Sequence, residues 1–469
     1  SLLSFKPEKQ NDDKQNIELE NIFYNVSLKN PNITKIAHNG NIVTQIEEIK
    51  ETIKEACKEM YKKIDIDKTV IGDYLKTLKL QQVEQINNNI TEEEILKAIN
   101  YLNDGRSPGP DGLPAELYKK CKHQLVKTLK YAYDEGIKNG KMHESFYQGI
   151  LTLILKRGPE ENINNYRHIT LMNMDYKVFA KIIANKIEEH LGMIVDNKQS
   201  CAIKGRYMWD NLNTLREIIW SKQESNFYLI ALDQKKPSIL YHGNIYGVSS
   251  KKGFCEHFIN LVKCLYVKST VKVNVNGQLT EQFEISRGVK QGCPLSAALY
   301  ILAISPLIKC IKDDPRIQGV QINGNKYVIS AYADDITVLV KSNKDLEYKH
   351  FKNYEKVSGA ELNKDKCECI WIGDTGSKSK FSIDIQEQKQ IKILGIYFDN
   401  NQCVDFNCSK KEEETDKEIE KYSKIKLNYK TKINIINTFI LPKTLFSASV
   451  FPPTQKWAVR INQKTCTFI

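Results

Sequence analysis

Hydrophobic and polar positions change period several times along the chain, and each change predicts an element. Residues 1 to about 40 are polar and rich in Asn and Lys, with no clear period, which predicts a linker or loosely packed extension. Over residues 44–60, IEEIKETIKEACKEM repeats apolar residues at helical spacing. Thr91 with Glu94 forms a capping box that predicts a helix start at TEEEILKAINYL. Gly and Pro in GRSPGPDG, residues 105–112, break regular structure and predict a defined turn between helices. ELYKKCKHQLVKTLKYAYDEGI then reads as one long helix, and GILTLILK as a strand with Lys156 at its end. NYRHIT reads as a loop, MDYKVFAKIIANKIEEHL as a long helix, and residues 203–206 as a turn before a further helix.

In the second half, NFYLIALD (residues 226–233) is a near-continuous apolar run of strand length that ends in Asp233. A buried strand delivering a carboxylate to a site has this pattern, and so does a salt-bridged strand end. FINLVKCLY predicts a helix, TVKVNVNG a strand with a hairpin turn at Asn276-Gly277, and LSAALYILAISPLIKCI a helix entered from RGVKQGCP. In AYADD, two β-rich runs (327–332 and 336–340) flank Asp334 and Asp335, which places the acids at a tight hairpin tip. Adjacent carboxylates repel unless a cation neutralises them. From the pentapeptide alone, a solvated turn and a cation-binding pair both stand. GAELNKDK follows as a basic loop and IKILGIYF as a short strand, before Lys/Glu-rich helices from about residue 410.

Composition narrows the class. The 469 residues allow roughly two to four domains. A net charge of +12 suits a polyanionic partner. The longest apolar stretch, near residues 299–308, is far too short to span a bilayer, so no membrane partner is expected. The 12 cysteines are scattered without zinc-site spacing and read as reduced intracellular thiols. SLLSF has neither an initiator Met nor a signal pattern, and KTCTFI stops in mid-pattern, so a fragment of something longer is expected.

A strand ending in Asp233 and a hairpin tip at Asp334-Asp335 bring together acids about 100 residues apart in sequence. Such oxygen ligands suit Mg²⁺, and two ions about 3.5–4 Å apart stabilise both oxygens of an in-line phosphoryl displacement. Lys156 and Arg167 suit a triphosphate, and the Gln291-Gly292 turn lets backbone approach a nucleotide.

In order, SPGPDGLPAELY, LILKRG with NYRHITLMN, QSCAIKGR with DN, ALDQKK, RGVKQGCPLS, AYADD, GAELNKDK and KILGI resemble the reverse transcriptase of LINE-type non-LTR retrotransposons. RGVKQGCPLS and YADD about 40 residues apart are the most specific part, and the resemblance runs from about residue 44 to the end. It implies an α+β, right-handed polymerase fold. The expected divisions are an N-terminal extension (1–90), fingers and a palm with an antiparallel sheet (91–404), and a truncated helical thumb (405–469).

The activity implied is RNA-directed DNA synthesis onto a primer 3′-OH. It uses two Mg²⁺ ions, with Mn²⁺ as a substitute. The partners are an RNA template, a DNA primer, the RNA–DNA duplex and dNTPs, and the family suggests the nucleus. Carried over by position, Asp233, Asp334 and Asp335 match the metal-binding acids, and Gln291 and Gly292 match residues that contact nucleotide and template. Lys156 and Arg167 match basic residues near the triphosphate. Lys366 matches the lysine proposed to protonate pyrophosphate. The family's endonuclease and its Cys/His knuckle are missing from these residues, so no target nicking by this chain alone is expected.

Three departures stand out. His168-Ile169-Thr170 replaces Pro-Ile-Ser after NYR, and Ala297 replaces a Pro. After Asp233 the family has D-x-x-x-A-F-D, but this chain has Gln234-Lys235-Lys236-Pro237-Ser238-Ile239. Ser238 therefore stands where a Phe lies under the nucleotide sugar, and Pro237 removes a backbone donor. GCC-TTC-GAT read without its first base, and with C next, gives Pro-Ser-Ile, so a short out-of-frame stretch would explain the patch. The alternative to an active polymerase is a decayed copy that keeps the fold and binds nucleic acid.

Overall fold

A short hairpin of β1 (Ile36–His38) and β2 (Asn41–Val43) stands at the end of the linker expected through residue 40, whose residues 1–31 lie outside the described residues. Ile36 is wholly buried, and the Asn276 amide holds the Ile33 backbone at both groups, at 2.8 and 2.9 Å. The computed structural model describes residues 32–38, 40–63, 66, 68–76, 89–156, 158–221, 226–235, 249, 254–341, 349–374, 376, 378, 385–400 and 403–469. Helix α1 (Ile46–Met60) buries Ile49, Ile53, Cys57 and Met60, one stripe at helical spacing.

Next come α2 (Lys68–Lys76) and α3 (Glu92–Tyr101), the latter with both bonds of the Thr91–Glu94 capping box. The single helix expected after the Gly/Pro loop is two, α4 (Ala115–Lys120) and α5 (Lys122–Asn139). Cys121 (φ −100°, ψ 16°) leaves helical geometry, yet the apolar period runs through it, so the pattern carries no sign of the break. The loop itself is pinned where expected: Asn173 Oδ1 accepts from Asp111 N–H at 3.2 Å, and Gly109 lies against the same side chain.

A short α6 (Glu144–Tyr147) leads into β3 (Gln148–Leu155) and β4 (Tyr166–Met172), followed by α7 (Met174–Ile194) and α8 (Met208–Trp220). NYRHIT is thus largely strand and not loop: Arg167 pairs with Ile154 and His168 with Leu153. Alternation explains it, since Tyr166, His168 and Thr170 are buried while Arg167 points outward. His168 Nδ1 meets the Tyr61 hydroxyl at 3.4 Å, at the end of α1.

The chain continues through β5 (Phe227–Leu232), α9 (Glu256–Cys264), β6 (Thr270–Val275), β7 (Gln278–Leu279) and β8 (Phe283–Glu284). Helix α10 (Ser296–Asp313) is buried almost all round. Its Pro306 cannot bond the Leu302 carbonyl, and the Ser305 hydroxyl donates to that carbonyl instead, at 2.9 Å. Then come β9 (Val320–Ile322), β10 (Asn325–Tyr327), β11 (Ile329–Tyr332), β12 (Asp335–Val340), α11 (Lys349–Ser358), β13 (Glu368–Ile372) and β14 (Gln386–Glu387). IKILGIYF is a hairpin, β15 (Ile391–Ile393) and β16 (Ile396–Phe398), because Leu394 and Gly395 both take positive φ, 48° and 88°.

Two sheets result. One has the order β4-β3-β6-β7 with β8 also on β6, and the other β11-β12-β5-β13-β14. The second is antiparallel except where β13 meets β14. Its central strands β12, β5 and β13 are buried on both faces. Tyr228, Ile230, Leu232 and Val338 join the core that contains α7 and α10, while Phe227, Leu229 and Leu339 join the one that contains α8, β15 and β16. Each such side chain contributes roughly 1.5–3 kcal/mol when fully buried. Two-sided burial is why NFYLIAL reads as a continuous apolar run.

The C-terminal helices are α12 (Val404–Ser423), α13 (Tyr429–Ile435), a π-helical turn over Ile436–Ile440, α14 (Leu441–Val450) and α15 (Gln455–Phe468). The π turn ends just before Pro442, whose ring nitrogen has no hydrogen to donate. The continuous run Tyr429–Val450 is long and apolar enough to cross a membrane by length and composition, so the stretch near residues 299–308 is not the longest apolar candidate. Ile435, Ile436 and Ile440 in that run share a core with Tyr422 and Phe468.

Candidate active site at the β5 and β11–β12 strand ends

Leu232, the last residue of β5, pairs with Ile336, one residue into β12. Asp233 and Asp335 therefore lie at the same end of neighbouring strands. Tyr332 pairs with Asp335, so Ala333 and Asp334 make a two-residue turn, with Ala333 at φ 54°. The hairpin tip is as expected, except that the apolar run 327–332 is divided: Tyr327 closes β10, which pairs with β9.

The carboxylates are electrostatically coupled. Burial holds Asp334 above the usual carboxylate range and Asp233 adds to this, while Lys156 opposes it. Desolvation pushes Asp335 up to about 6, with Asp334 and then Asp233 reinforcing, although its outer face is open to solvent. Asp233 has its own bracket. Asn363 Nδ2 donates to its carboxylate at 3.0 Å, and Asn363 N–H donates to its carbonyl at 2.9 Å.

Three cations face these acids. Burial holds the Lys156 ammonium below its usual range, and the Arg167 and Lys366 charges push the same way, while Asp334 and Asp233 oppose them. Lys156 follows β3, Arg167 lies on β4, and Lys366 ends a short 3₁₀ turn after Asn363. The structure thus gathers Asp233, Asp334, Asp335, Lys156, Arg167 and Lys366 from five chain segments. Gln291 and Gly292 pack against β4, the strand that carries Arg167, at Thr170. Thr170 N–H donates to the Gln291 carbonyl at 2.9 Å, and Gly292 (φ 107°) sits where a Cβ would come within 3.0 Å of the Thr170 carbonyl. Glycine is required there on both counts. Ser238, with Lys236, Pro237 and Ile239, lies outside the described residues.

The reverse transcriptase family generally uses divalent metal ions. Among the described residues, no three Asp, Glu, His or Cys side chains converge as a ready ligand set. The donor chemistry fits a divalent cation all the same. Adjacent carboxylates raised by burial and mutual repulsion are relieved by positive charge, and Mg²⁺ takes one or two carboxylates with phosphate and water completing its shell.

Several residues at this site carried no assignment from sequence. Asn363 is one. Gln234 is buried beside Asp233 and accepts from the Tyr300 hydroxyl at 3.2 Å. Gln199, Arg206 and Asn211 wrap the outer edge of β11: Ala331 N–H donates to Lys198 O, Ser200 N–H donates to Ala331 O, and Asn211 Nδ2 donates to the same oxygen at 3.0 Å. The motif QSCAIKGR with DN contained the signal, but nothing in its spacing said what it touches.

Residues 154–398 match the family model described as reverse transcriptase (RNA-dependent DNA polymerase). The chain is 27% identical over 429 residues to the transposon TX1 uncharacterized 149 kDa protein of Xenopus laevis, covering 88% of this chain and 32% of that protein. It is 27% identical over 293 residues to the retrovirus-related Pol polyprotein from the type-1 retrotransposable element R2 of Popillia japonica, covering 61% of this chain and 40% of that protein. It is 23% identical over 296 residues to the corresponding polyprotein from the type-2 element R2DM of Drosophila melanogaster, covering 62% of this chain and 27% of that one. The chain therefore spans well under half the length of these curated relatives. With the family model extending from the end of β3 through β16 and including all three acids, the chain belongs to the reverse transcriptase (RNA-dependent DNA polymerase) family, on its non-LTR retrotransposon branch.

Proposed function

We propose that this chain is the polymerase core of a retrotransposon protein and extends a DNA primer 3′-OH by copying an RNA template with dNTPs. The observation that carries this reading is the meeting of Lys156, Arg167 and Lys366 with Asp233 and Asp334 in one electrostatic neighbourhood. Burial and two neighbouring cations depress the Lys156 ammonium, which calls for an anion, and burial and neighbouring acids raise Asp334 and Asp335, which calls for a cation. A nucleoside triphosphate with Mg²⁺ supplies both.

In this reading Asp233, Asp334 and Asp335 hold two Mg²⁺ ions, with Mn²⁺ as a substitute. When bound, the metal neutralises the attacking and leaving oxygens of the displacement. Lys156 and Arg167 clamp the triphosphate. Gln291 and Gly292 bring backbone against the incoming nucleotide, Lys366 gives a proton to pyrophosphate, and Ser238 matches by sequence position the residue that the family places beneath the sugar. The sheet β11-β12-β5-β13-β14 is the palm. The β3–β4 hairpin with α3 to α7 forms the fingers, and the helices from about residue 405 form the thumb. The divisions expected from sequence, 1–90, 91–404 and 405–469, are kept as part of this proposal. RNA template, DNA primer and their duplex are the partners, in the nucleus, with endonuclease activity supplied by other parts of a longer protein.

The departure at 236–239 favours a second reading, a copy that retains the fold and binds nucleic acid with impaired synthesis. Primer extension on a homopolymer RNA template separates the two. Mg²⁺-dependent extension that Asp334→Ala abolishes supports the first. Duplex binding without extension supports the second.

A further inference from the structure

The turn that carries Asp334 has an unusual requirement. Ala333 takes φ 54°, a left-handed conformation that alanine resists, because its Cβ crowds the following carbonyl. One side chain satisfies both polar groups of this residue. Gln199 Oε1 accepts from the Ala333 N–H at 2.9 Å, and Gln199 Nε2 donates to the Ala333 carbonyl at 3.3 Å. The same Oε1 also accepts from the Cys201 N–H at 3.0 Å. Gln199 is wholly buried, so its amide has no solvent to turn to.

The buckle is itself anchored. The Arg206 guanidinium donates to the carbonyls of Gln199, Asp196 and Gly192 at 2.7–2.8 Å. Asn211 Nδ2 donates to Ser330 Oγ at 2.7 Å and to the Ala331 carbonyl, and accepts through Oδ1 from the Ser200 hydroxyl. The segment 198–200 thereby forms a parallel rung on the edge of β11 at Ala331. The bonds that reach the hairpin fall on Ser330, Ala331 and Ala333, all within the four residues that precede Asp334.

We propose that Gln199 is a positioning residue for the metal-binding acids: its amide holds Ala333 left-handed and so fixes where Asp334 and Asp335 present their oxygens. Gln199 affects the metal only if those two aspartates are its ligands, as proposed above, and it touches neither metal nor substrate. Groups of this kind, one bond removed from a ligand, typically cost about 10–100-fold in metal affinity when lost.

The test reads Mn²⁺ binding by electron paramagnetic resonance on the full chain without nucleic acid, with circular-dichroism melting as the check on folding. Gln199→Met, which keeps the volume and removes both bonds to Ala333 along with the one to Cys201, is expected to weaken Mn²⁺ binding by about 10–100-fold. Adding Ala333→Gly should recover most of that loss, because glycine adopts positive φ without strain. If Gln199→Met fails to fold, Gln199→Asn carries the same expectation, since it keeps an amide in the buried site but withdraws it by one methylene. A folded Gln199 variant that binds Mn²⁺ as the parent does, while Asp334→Ala does not bind, would overturn the positioning role and leave the ligand assignment standing. Weakening that Ala333→Gly leaves untouched would overturn it as well. Unchanged binding by Asp334→Ala would overturn the ligand assignment and the positioning role together.

Discussion

Asn363 grips Asp233 twice, through its side-chain amide on the carboxylate at 3.0 Å and its backbone N–H on the carbonyl at 2.9 Å. The two residues are 130 positions apart in sequence. This bracket ties the acid at the end of β5 to the loop that also carries Lys366, so one motion of that loop would move both.

Asn363→Ala removes the side-chain half of the bracket and leaves the backbone half. The Mg²⁺ concentration for half-maximal primer extension should rise about 10–100-fold. Duplex affinity, followed by fluorescence anisotropy, should stay within about twofold, because Asn363 engages an acid and no phosphate. An unchanged Mg²⁺ dependence would show that Asp233 needs no bracket.

Asp334→Ala should abolish Mg²⁺-dependent extension and leave duplex binding nearly intact. Lys366→Ala should retain measurable synthesis, slowed by about 10²–10⁴-fold, the usual worth of general-acid assistance. Single-turnover rates of pyrophosphate release distinguish the two. Undiminished synthesis by Asp334→Ala would remove it from the ligand set.

Asp175 offers a pH signature outside the site. Burial pushes its carboxyl up to about 6. A raised folded-state value means that this group's contribution to stability is fully present below the unfolded value, near 3.8, and is lost as pH rises through about 6. Asp175→Asn should therefore flatten the fall in stability between about pH 4 and 6 and raise stability at pH 7, by at most about 3 kcal/mol. Urea denaturation of both proteins at pH 4.5 and 7 reads this. A variant equally destabilised at both values would mean that the carboxylate is stabilising where it lies.

By sequence position Ser238 matches the residue where the family has a Phe, and the proposed role at the sugar makes it a test of 2′-hydroxyl selectivity. Ser238→Phe should raise dNTP over rNTP selectivity, measured as the ratio of kcat/KM values. Equal, strong rejection of rNTPs by both proteins would show that position 238 is not the gate. Sequencing the transcript tests the frame itself, since an in-frame Ala-Phe-Asp reading would replace residues 237–239.

Local pattern was enough to locate most elements and the acids. NFYLIALD is continuously apolar because β5 is covered on both faces, and AYADD carries its turn between two strand-forming runs; both properties belong to short segments and survive in sequence. Thr91 and Glu94 announced their helix for the same reason, since both capping bonds close within four residues. The break at Cys121 and the strand character of NYRHIT were hidden. The first leaves the apolar period intact, and the second depends on pairing with β3, which only the folded sheet supplies.

The site divides in the same way. Asp233, Asp334, Asp335, Lys156, Arg167 and Lys366 were legible because charged groups at motif positions mark themselves. Gln199 and Asn363 were not, because an amide has no chemistry of its own to advertise. Its meaning lies in the groups it meets, 134 residues away for Gln199 and 130 for Asn363. Sequence determined which charged groups this protein brings together at its candidate site. Tertiary structure alone decided how they are held, because hydrogen bonds between distant segments depend on angles and distances that no spacing along the chain encodes.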